Sequence, residues 1–539
     1  MVHWIFEIAN SIEERARTRG KRSIVLNGGL SVSGLQHIGR LRGEVLIGEA
    51  VRKILEKKGF EVKQLIVLYT QDAWKGKEKQ LKQFKDNEGE KYIGHPLIRV
   101  PDPMGCHANW VEHYWEDFGG VLNKFSDGKI EIVKTTDMYG RELKSVMKEF
   151  IEKREITRSV VNKYRGRNPY PEDWIPVEPI CERCGRIDTT KSLKVDGEVV
   201  EYKCKNCGYH GFTKVENGKL NWRLEWAGVW KALAIDFEPF GKDHATPGGS
   251  RDSCVELART VLNIDPPIGL PYEWVAIRIN GKEMDMGSSD FIGITPKEWL
   301  EVAHAEVLRY IYFSVPPKKR IVIDLSEIPQ YYEQYFKGER AFYAKKEGNV
   351  LTEEEEEASI NYEFSLLQEA QEKMPFQLPY YTAALLVQSL PKGNYLEAAL
   401  RRLQASKIIT EELTDFEKKR IGEMLEKAGN WVSRYAPEQV KFSVDFEVSP
   451  DIVRSLKFRD SLVELGKRLL TLDMWSEEEI KRTMIEYTSD MNTEERKEFY
   501  REFYLVMVGK ESGPRAAPLL AALGKDMVRK KLIEKLETN

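Results

Sequence analysis

Residues 23–40 read SIVLNGGLSVSGLQHIGR, and their order decides the fold. Ser23–Leu26 is a short apolar run followed by Asn27, Gly28 and Gly29. Ser33, Gly34, His37, Ile38 and Gly39 come next, and Leu41–Lys58 has the apolar spacing of an amphipathic helix. Ile66–Tyr69 is the next strand. Strand, glycine-rich turn, helix and strand make a doubly wound α/β unit, whose ligands bind beyond the carboxyl ends of the strands. Glycine lets a backbone approach a ligand closely, and a helix N-terminus offers unpaired N–H groups to an anion. His37 falls where the helix begins and can face a phosphate; a structural turn with a surface histidine is the alternative. The run matches neither GxGxxG nor GxxxxGK[ST], which argues against ordinary dinucleotide and P-loop sites.

A second α/β block follows a long insertion. Leu224–Leu233 is aromatic and apolar, with Trp226 and Trp230, and Ala234–Phe237 reads as a strand. The strand runs into Gly241, Lys242, Asp243 and His244 and the turn-rich Thr246–Ser250. Trp274–Ile279 is another strand, and Lys282–Asp290 reads as a loop. Small polar loops after strands suit a nucleotide cleft, where serines and backbone amides cradle phosphates. Asp243 is a candidate acceptor for a ribose or an ammonium, and His244 for phosphate or base. A capping Asp and a structural His are the alternatives.

The insertion carries two candidate metal clusters. Cys181-x-x-Cys184 and Cys204-x-x-Cys207 have the spacing of a closed tetrahedral zinc site, with Gly185 and Gly208 after the pairs to permit tight knuckles. Asp102, Cys106, His107 and His113, spaced D-x3-C-H-x5-H, offer O, S and N ligands for a second zinc.

The 539 residues leave room for several domains. Lys and Arg total 83 against 86 Asp and Glu, so the net charge of −3 gives no global support for nucleic-acid binding; a local basic face is still compatible with it. No apolar run reaches membrane length, and the charged N-terminus lacks a signal-peptide core, so the cytoplasm is the expected compartment. From Tyr362 onward the pattern is helical and bundle-like, with Arg401, Arg402, Arg454 and Arg459 as candidate RNA contacts. Pro316–Arg320 is a basic turn, and Glu353–Glu357 marks a solvated helix start or a linker.

The run Leu26–Arg40 resembles the HIGH region of class I aminoacyl-tRNA synthetases. His37, Ile38 and Gly39 match its first three letters, and Arg40 stands in place of the last histidine. Asp285–Ser289 takes the place of the KMSKS region, keeping Met286 and Ser289 without either lysine; Lys282, just upstream, is the expected source of positive charge. Over nearly its whole length the chain resembles class I lysyl-tRNA synthetase of the archaeal type. WRLEWAGVWKALAIDFEPFGKDHATPGGS (222–250) and GPRAAPLLAALG (513–524) carry that likeness. Glutamyl-tRNA synthetase is the nearest confusable relative.

The resemblance implies a Rossmann-type α/β catalytic core with a zinc-containing insertion and an all-α anticodon-binding domain. It divides the chain into core halves at 1–100 and 221–290, an acceptor-end insertion at 101–220, a stem-contact region at 291–355 and the helical domain at 356–539. It implies ATP with Mg2+ and about two structural Zn2+, with L-lysine and tRNA(Lys) as partners, neither membrane nor DNA, and a monomer. Ser33, His37, Ile38, Gly39 and Met286 are expected at ATP, with Gly241, Asp243 and His244 framing adenosine. Lys282, Ser288 and Ser289 are expected at the departing pyrophosphate, and Gly29, Trp222 and Tyr272 at the lysine. A different adenylate-forming nucleotidyltransferase and a non-catalytic zinc RNA-binding protein are the rivals from other classes.

Overall fold

In the computed structural model, which describes residues 3–390, 395–444 and 448–538, five strands form one parallel sheet. They are β1 (Ser23–Leu30), β2 (Glu61–Leu68), β3 (Ile130–Lys134), β4 (Phe237–Gly241) and β5 (Ile268–Tyr272). Their spatial order is β3-β2-β1-β4-β5, with β1 and β2 paired from Ser23↔Glu61 to Leu30↔Leu68. This is the doubly wound order, and its direction of winding reverses between β1 and β4.

Alternation along the strands feeds two cores. Ile24, Leu26 and Phe237 face helices α1 (Trp4–Thr18) and α2 (Gly48–Lys57), meeting Ile12, Val51 and Leu55. Leu65, Val67 and Phe240 face the other way, into a cluster with Leu143, Trp226, Trp230 and Leu257. A parallel sheet covered on both faces requires such apolar strands.

Local structure departs from the sequence reading at three places. β1 continues to Leu30 and absorbs Asn27–Gly29, which the reading left to a turn. The cause is packing: a Cβ at Gly28 would lie 2.2 Å from the carbonyl oxygen of Glu44. The segment that meets it, Leu41–Ile47, is a fully buried π-helix running directly into α2; such widened turns cluster at functional sites. The expected loop Lys282–Asp290 is half strand. Lys282–Asp285 pairs antiparallel with Val275–Ile279 around Asn280-Gly281, whose φ values of 51° and 75° make a two-residue hairpin turn. The second block's strand lies later than expected, at Phe237–Gly241, because Ala234 at φ 51° breaks the chain after helix α3 (Trp222–Ala232).

The chain divides into two compact units, the first comprising Met1–Trp299, Leu308–Ile323 and Gly348–Ala370. Within it the insertion builds a three-stranded antiparallel sheet from Thr190–Asp196, Val199–Cys204 and His210–Lys214. The acidic run opens the helix Glu353–Ser365 through a Thr352/Glu355 capping box. Buried Arg309 ties that helix into this unit, donating to the carbonyls of Phe364 and Ser365 and to both oxygens of Glu49. Arg42 likewise secures the basic turn, donating to the carbonyls of Val315, Pro316 and Lys319.

The second unit comprises Leu300–Val307, Asp324–Glu347 and Gln371–Asn539. Its described part from 371 on is helical, with Tyr380–Ser389, Tyr395–Ala405, Asp415–Arg434, Arg459–Leu470, Glu477–Tyr487 and Thr493–Val508 among its helices. Side-chain caps from Thr414, Ser476 and Asn492 start three of them. Two of the four arginines proposed for RNA are engaged in packing: Arg402 donates to the carbonyl of Ala522 and Arg459 to that of Leu536. Arg401 and Arg454 stay exposed. Among the described residues, no helix is long and apolar enough to cross a membrane.

Candidate active site and metal centres

A cavity of about 740 Å³ opens at the carboxyl ends of the parallel strands, at the point where the winding reverses. Gly29 and Leu30 come to it from the end of β1 with Ser31 just after, Tyr69 from just after β2, Gly241 from β4 and Tyr272 from β5. His37, Gly39, Arg40 and Glu44 join from the segment after β1, and Met286–Asp290 completes the lining beside Arg40.

Most of the residues singled out in the sequence meet here: Gly29, His37, Gly39, Trp222, Gly241, Asp243, His244, Tyr272, Met286, Ser288 and Ser289 all line the cavity. Three do not. Ser33 is outside the lining, its carbonyl accepting from Gln80 at 2.8 Å, while Ser31 is part of the wall. Ile38 is wholly buried, and its N–H donates to the carbonyl of Ile294 at 2.8 Å, so that amide is not open to a phosphate. Lys282 is exposed at the start of a hairpin strand, outside the lining.

Burial and neighbours set the charges. His37 is enclosed and lies beside Arg40; burial first and the guanidinium second push its pKa down to about 3, so the ring is neutral. Its Nδ1 is buried without a hydrogen-bond partner. Glu44 is enclosed too, and burial pushes its carboxyl up to about 7 against the pull of Arg40 and the Tyr272 hydroxyl. Glu44 Oε1 meets Arg40 at 3.4 Å, while Oε2 is buried with no partner. The other deep carboxylates at the cavity meet cations or indoles, although Glu225 Oε2, like Glu44 Oε2, makes no hydrogen bond. Glu238 accepts from Asn27 at 2.7 Å and from the indoles of Trp226 and Trp230 at 2.8 and 2.6 Å. Asp72 and Glu225 share the buried ammonium of Lys219 at 2.6 and 3.3 Å.

Loop Met286–Asp290 is pinned from outside itself. Arg40 Nε donates to Ser288 Oγ at 3.1 Å, and Lys77 Nζ donates to Ser289 Oγ at 2.8 Å and to both oxygens of Asp290 at 3.1 Å. Arg320 pairs with Asp285 at 2.7 Å.

Both metal clusters assemble. The sulfurs of Cys181 and Cys207 are 3.7 Å apart and those of Cys184 and Cys204 3.6 Å, too far for disulfides. Gly185 and Gly208, at φ 72° and 73°, return their N–H groups to the carbonyls of Cys181 and Cys204. In the second cluster, Cys106 Sγ lies 3.1 Å from His107 Nδ1 and 3.3 Å from His113 Nδ1, and Asp102 meets His113 Nδ1 at 3.1 Å. Asp102 also accepts the N–H groups of Met104, Cys106 and His107, which folds the loop around it. Each foursome has its ligand atoms within 4.8 Å of one another and can hold a metal ion.

The family model of class I (K) tRNA synthetases matches residues 2–367. The lysine–tRNA ligase of Aeropyrum pernix is 49% identical over 530 residues, covering 98% of this chain and 96% of that one. The lysine–tRNA ligases of Methanocaldococcus jannaschii and Pyrococcus horikoshii are 30% and 32% identical, with 98% and 99% of both chains covered.

The chain belongs to the class I (K) tRNA synthetase family.

Several residues at or beside this synthetase's site escaped the sequence reading, Glu44, Arg40 and Lys77 among them. Glu44 stands beside the apolar run Val45-Leu46-Ile47; an amphipathic-helix reading sends such a glutamate to solvent, and only a carboxylate on the apolar side of the pattern would have betrayed it. Arg40 was visible as a departure from the motif but carried no role. Lys77 sits in KGKEKQLK (75–82), where nothing separates it from its neighbours.

Proposed function

We propose that this synthetase joins L-lysine to tRNA(Lys) in two steps at the switch-point cavity. The lysine carboxylate attacks the α-phosphate of ATP, releasing pyrophosphate, and a terminal ribose hydroxyl of the tRNA then attacks the adenylate. The observation that carries the reading is the near full-length match to lysine–tRNA ligases, at 49% identity in one case.

The chemistry is positioning and charge stabilisation. His37, as a neutral ring whose Nδ1 has no protein partner, and the backbone at Gly39 hold phosphate oxygens. Ser288 and Ser289 present hydroxyls to the departing pyrophosphate, with Met286 beside them. Gly241, Asp243 and His244 frame adenosine. Trp222 and Tyr272 flank the lysine methylenes, with Gly29 giving room on the floor. Glu44 receives the lysine ammonium: it is enclosed at the cavity next to Tyr272, its Oε1 meets only Arg40 at 3.4 Å, and its Oε2 is buried beside the Tyr272 hydroxyl. Mg2+ bound to ATP would supply charge neutralisation at the phosphates.

Zn2+ suits both clusters. A tetrahedral ion with Zn–S bonds of about 2.3 Å separates its sulfurs by roughly 3.8 Å, close to the observed 3.6 and 3.7 Å. Cys181, Cys184, Cys204 and Cys207 hold one ion, and Asp102, Cys106, His107 and His113 the other. Each closed shell leaves no position for chemistry, so the ions stiffen the lobe that meets the tRNA acceptor end. Residues 291–355 meet the stem and 356–539 the anticodon. The enzyme acts in the cytoplasm as a monomer.

The test is an amino-acid panel in ATP–pyrophosphate exchange and tRNA charging, with tRNA present throughout. Lysine is the expected substrate; equal or better turnover with glutamate or glutamine overturns the assignment.

A further inference from the structure

Adenylate formation separates several negative oxygens, yet the cavity wall is acidic. Asp243, Asp285 and Asp290 lie along it and Glu44 beneath. Among the described residues that line the cavity, Arg40 is the only lysine or arginine. His37 brings no positive charge, because burial and Arg40 keep it neutral. Loop Met286–Asp290 has no lysine of its own, and Lys282 stays outside the lining. The serines that face the phosphates are instead held by two cations from other segments, Arg40 on Ser288 and Lys77 on Ser289.

We propose that Arg40 is the catalytic cation of adenylate formation, and that Lys77 is a positioning residue that holds loop Met286–Asp290 over the phosphates. The inference rests on the adenylating function given above. In the step, a carboxylate oxygen of the amino acid forms a bond to the α-phosphorus while the bond from that phosphorus to the bridging oxygen breaks. The bridging oxygen and its electron pair leave with pyrophosphate, and no proton moves.

Arg40 fits the task in three respects. Its side chain is partly open, at 22% exposure, so it touches both protein and cavity. Only one terminal nitrogen is tied, at 3.4 Å to Glu44, leaving the guanidinium fork able to turn to two phosphate oxygens. Its Nε grips Ser288, so the charge and the loop hydroxyl move as one unit. Lys77, by contrast, is outside the cavity lining. Its ammonium fixes Ser289 and turns the Asp290 carboxylate toward itself, drawing one negative group away from the phosphates.

The test is single-turnover adenylate formation with tRNA, saturating ATP and Mg2+, followed by the reverse reaction with pyrophosphate. Arg40→Gln should slow both directions by roughly 10²–10³-fold, the scale of losing one electrostatic stabiliser, with the KM for the amino acid changed by less than about threefold. Arg40→Lys, which keeps the charge, should recover at least about tenfold of that loss. Lys77→Met should raise the ATP KM by about tenfold, the scale of one charged hydrogen bond, without moving the melting temperature, and Lys77→Arg should restore it. The Arg40 half is overturned by a rate within about twofold of the parent, by a defect confined to the amino-acid KM, or by an Arg40→Lys enzyme no better than Arg40→Gln. An unchanged ATP KM in Lys77→Met overturns the Lys77 half. If the parent enzyme activates an amino acid other than lysine, the lysine assignment falls, and the same variants assayed with that amino acid still decide the roles of Arg40 and Lys77.

Discussion

Glu44→Gln gives the sharpest prediction. Glu44 is nearly inaccessible, at 7% side-chain exposure, and its Oε2 is buried beside the Tyr272 hydroxyl. An incoming lysine ammonium would form a buried ion pair there, and removing one member of such a pair costs about 3 kcal/mol or more. The amide should therefore raise the lysine KM by roughly 150-fold, since each 1.4 kcal/mol is a factor of about ten, with the ATP KM little altered. The same carboxyl writes a pH signature. Burial lifts its pKa to about 7, so the free enzyme holds Glu44 protonated and unable to pair with a cation below that pH. The lysine side chain stays charged throughout, with an ordinary pKa near ~10.4. Lysine affinity should then rise as pH increases toward 7 and level off above it, losing about tenfold per unit on the acid side. The assay is lysine KM in tRNA-supported pyrophosphate exchange from pH 5.5 to 8.5, on the parent and on Glu44→Gln. The variant should be weak and flat with pH. A variant within about threefold of the parent, or one that keeps the parent's acid limb, refutes Glu44 as the ammonium acceptor, since either falls far short of a lost buried pair.

Other outcomes follow from the same geometry. Elemental analysis should find about two zinc ions per chain; Cys181→Ser with Cys184→Ser should remove one of them and lower the melting temperature, because metal binding there is folding energy. A metal-free preparation of undamaged, untagged protein would reject both sites. Lys282→Ala should form adenylate within about twofold of the parent, since a solvated residue outside the site has little to lose; a hundredfold loss would return the pyrophosphate role to that hairpin. Gly28→Ala should destabilise the enzyme by about 1–3 kcal/mol or more through overpacking, because the new methyl meets the Glu44 backbone rather than a movable side chain. Unchanged denaturant unfolding would show that β1 and the π-helix can separate at no cost.

What depends on local chemistry was legible in the order of residues alone. Glycines beside an apolar run, two CxxC knuckles and D-x3-C-H-x5-H spell out a doubly wound start and two metal clusters, because ligand spacing and turn geometry are properties of a few consecutive residues. The 3.6-residue apolar rhythm after Tyr362 announced the helices; that Thr414, Ser476 and Asn492 cap three of them is seen in the structure. Tertiary structure decided what depends on residues far apart in the chain. It put Gly28 inside a strand because a π-helix backbone presses on it, and it spent the Ile38 amide on Ile294. It also brought Lys77 to Ser289, across 212 positions of sequence. Charge followed the same division: Lys282 looks cationic and close in sequence, but the Asn280-Gly281 turn carries it onto a hairpin away from the cavity. Arg40 and Glu44 stand one helical turn apart, and burial lifts the Glu44 carboxyl to about 7. Desolvation sums over every neighbour in space, and a linear sequence does not carry that sum.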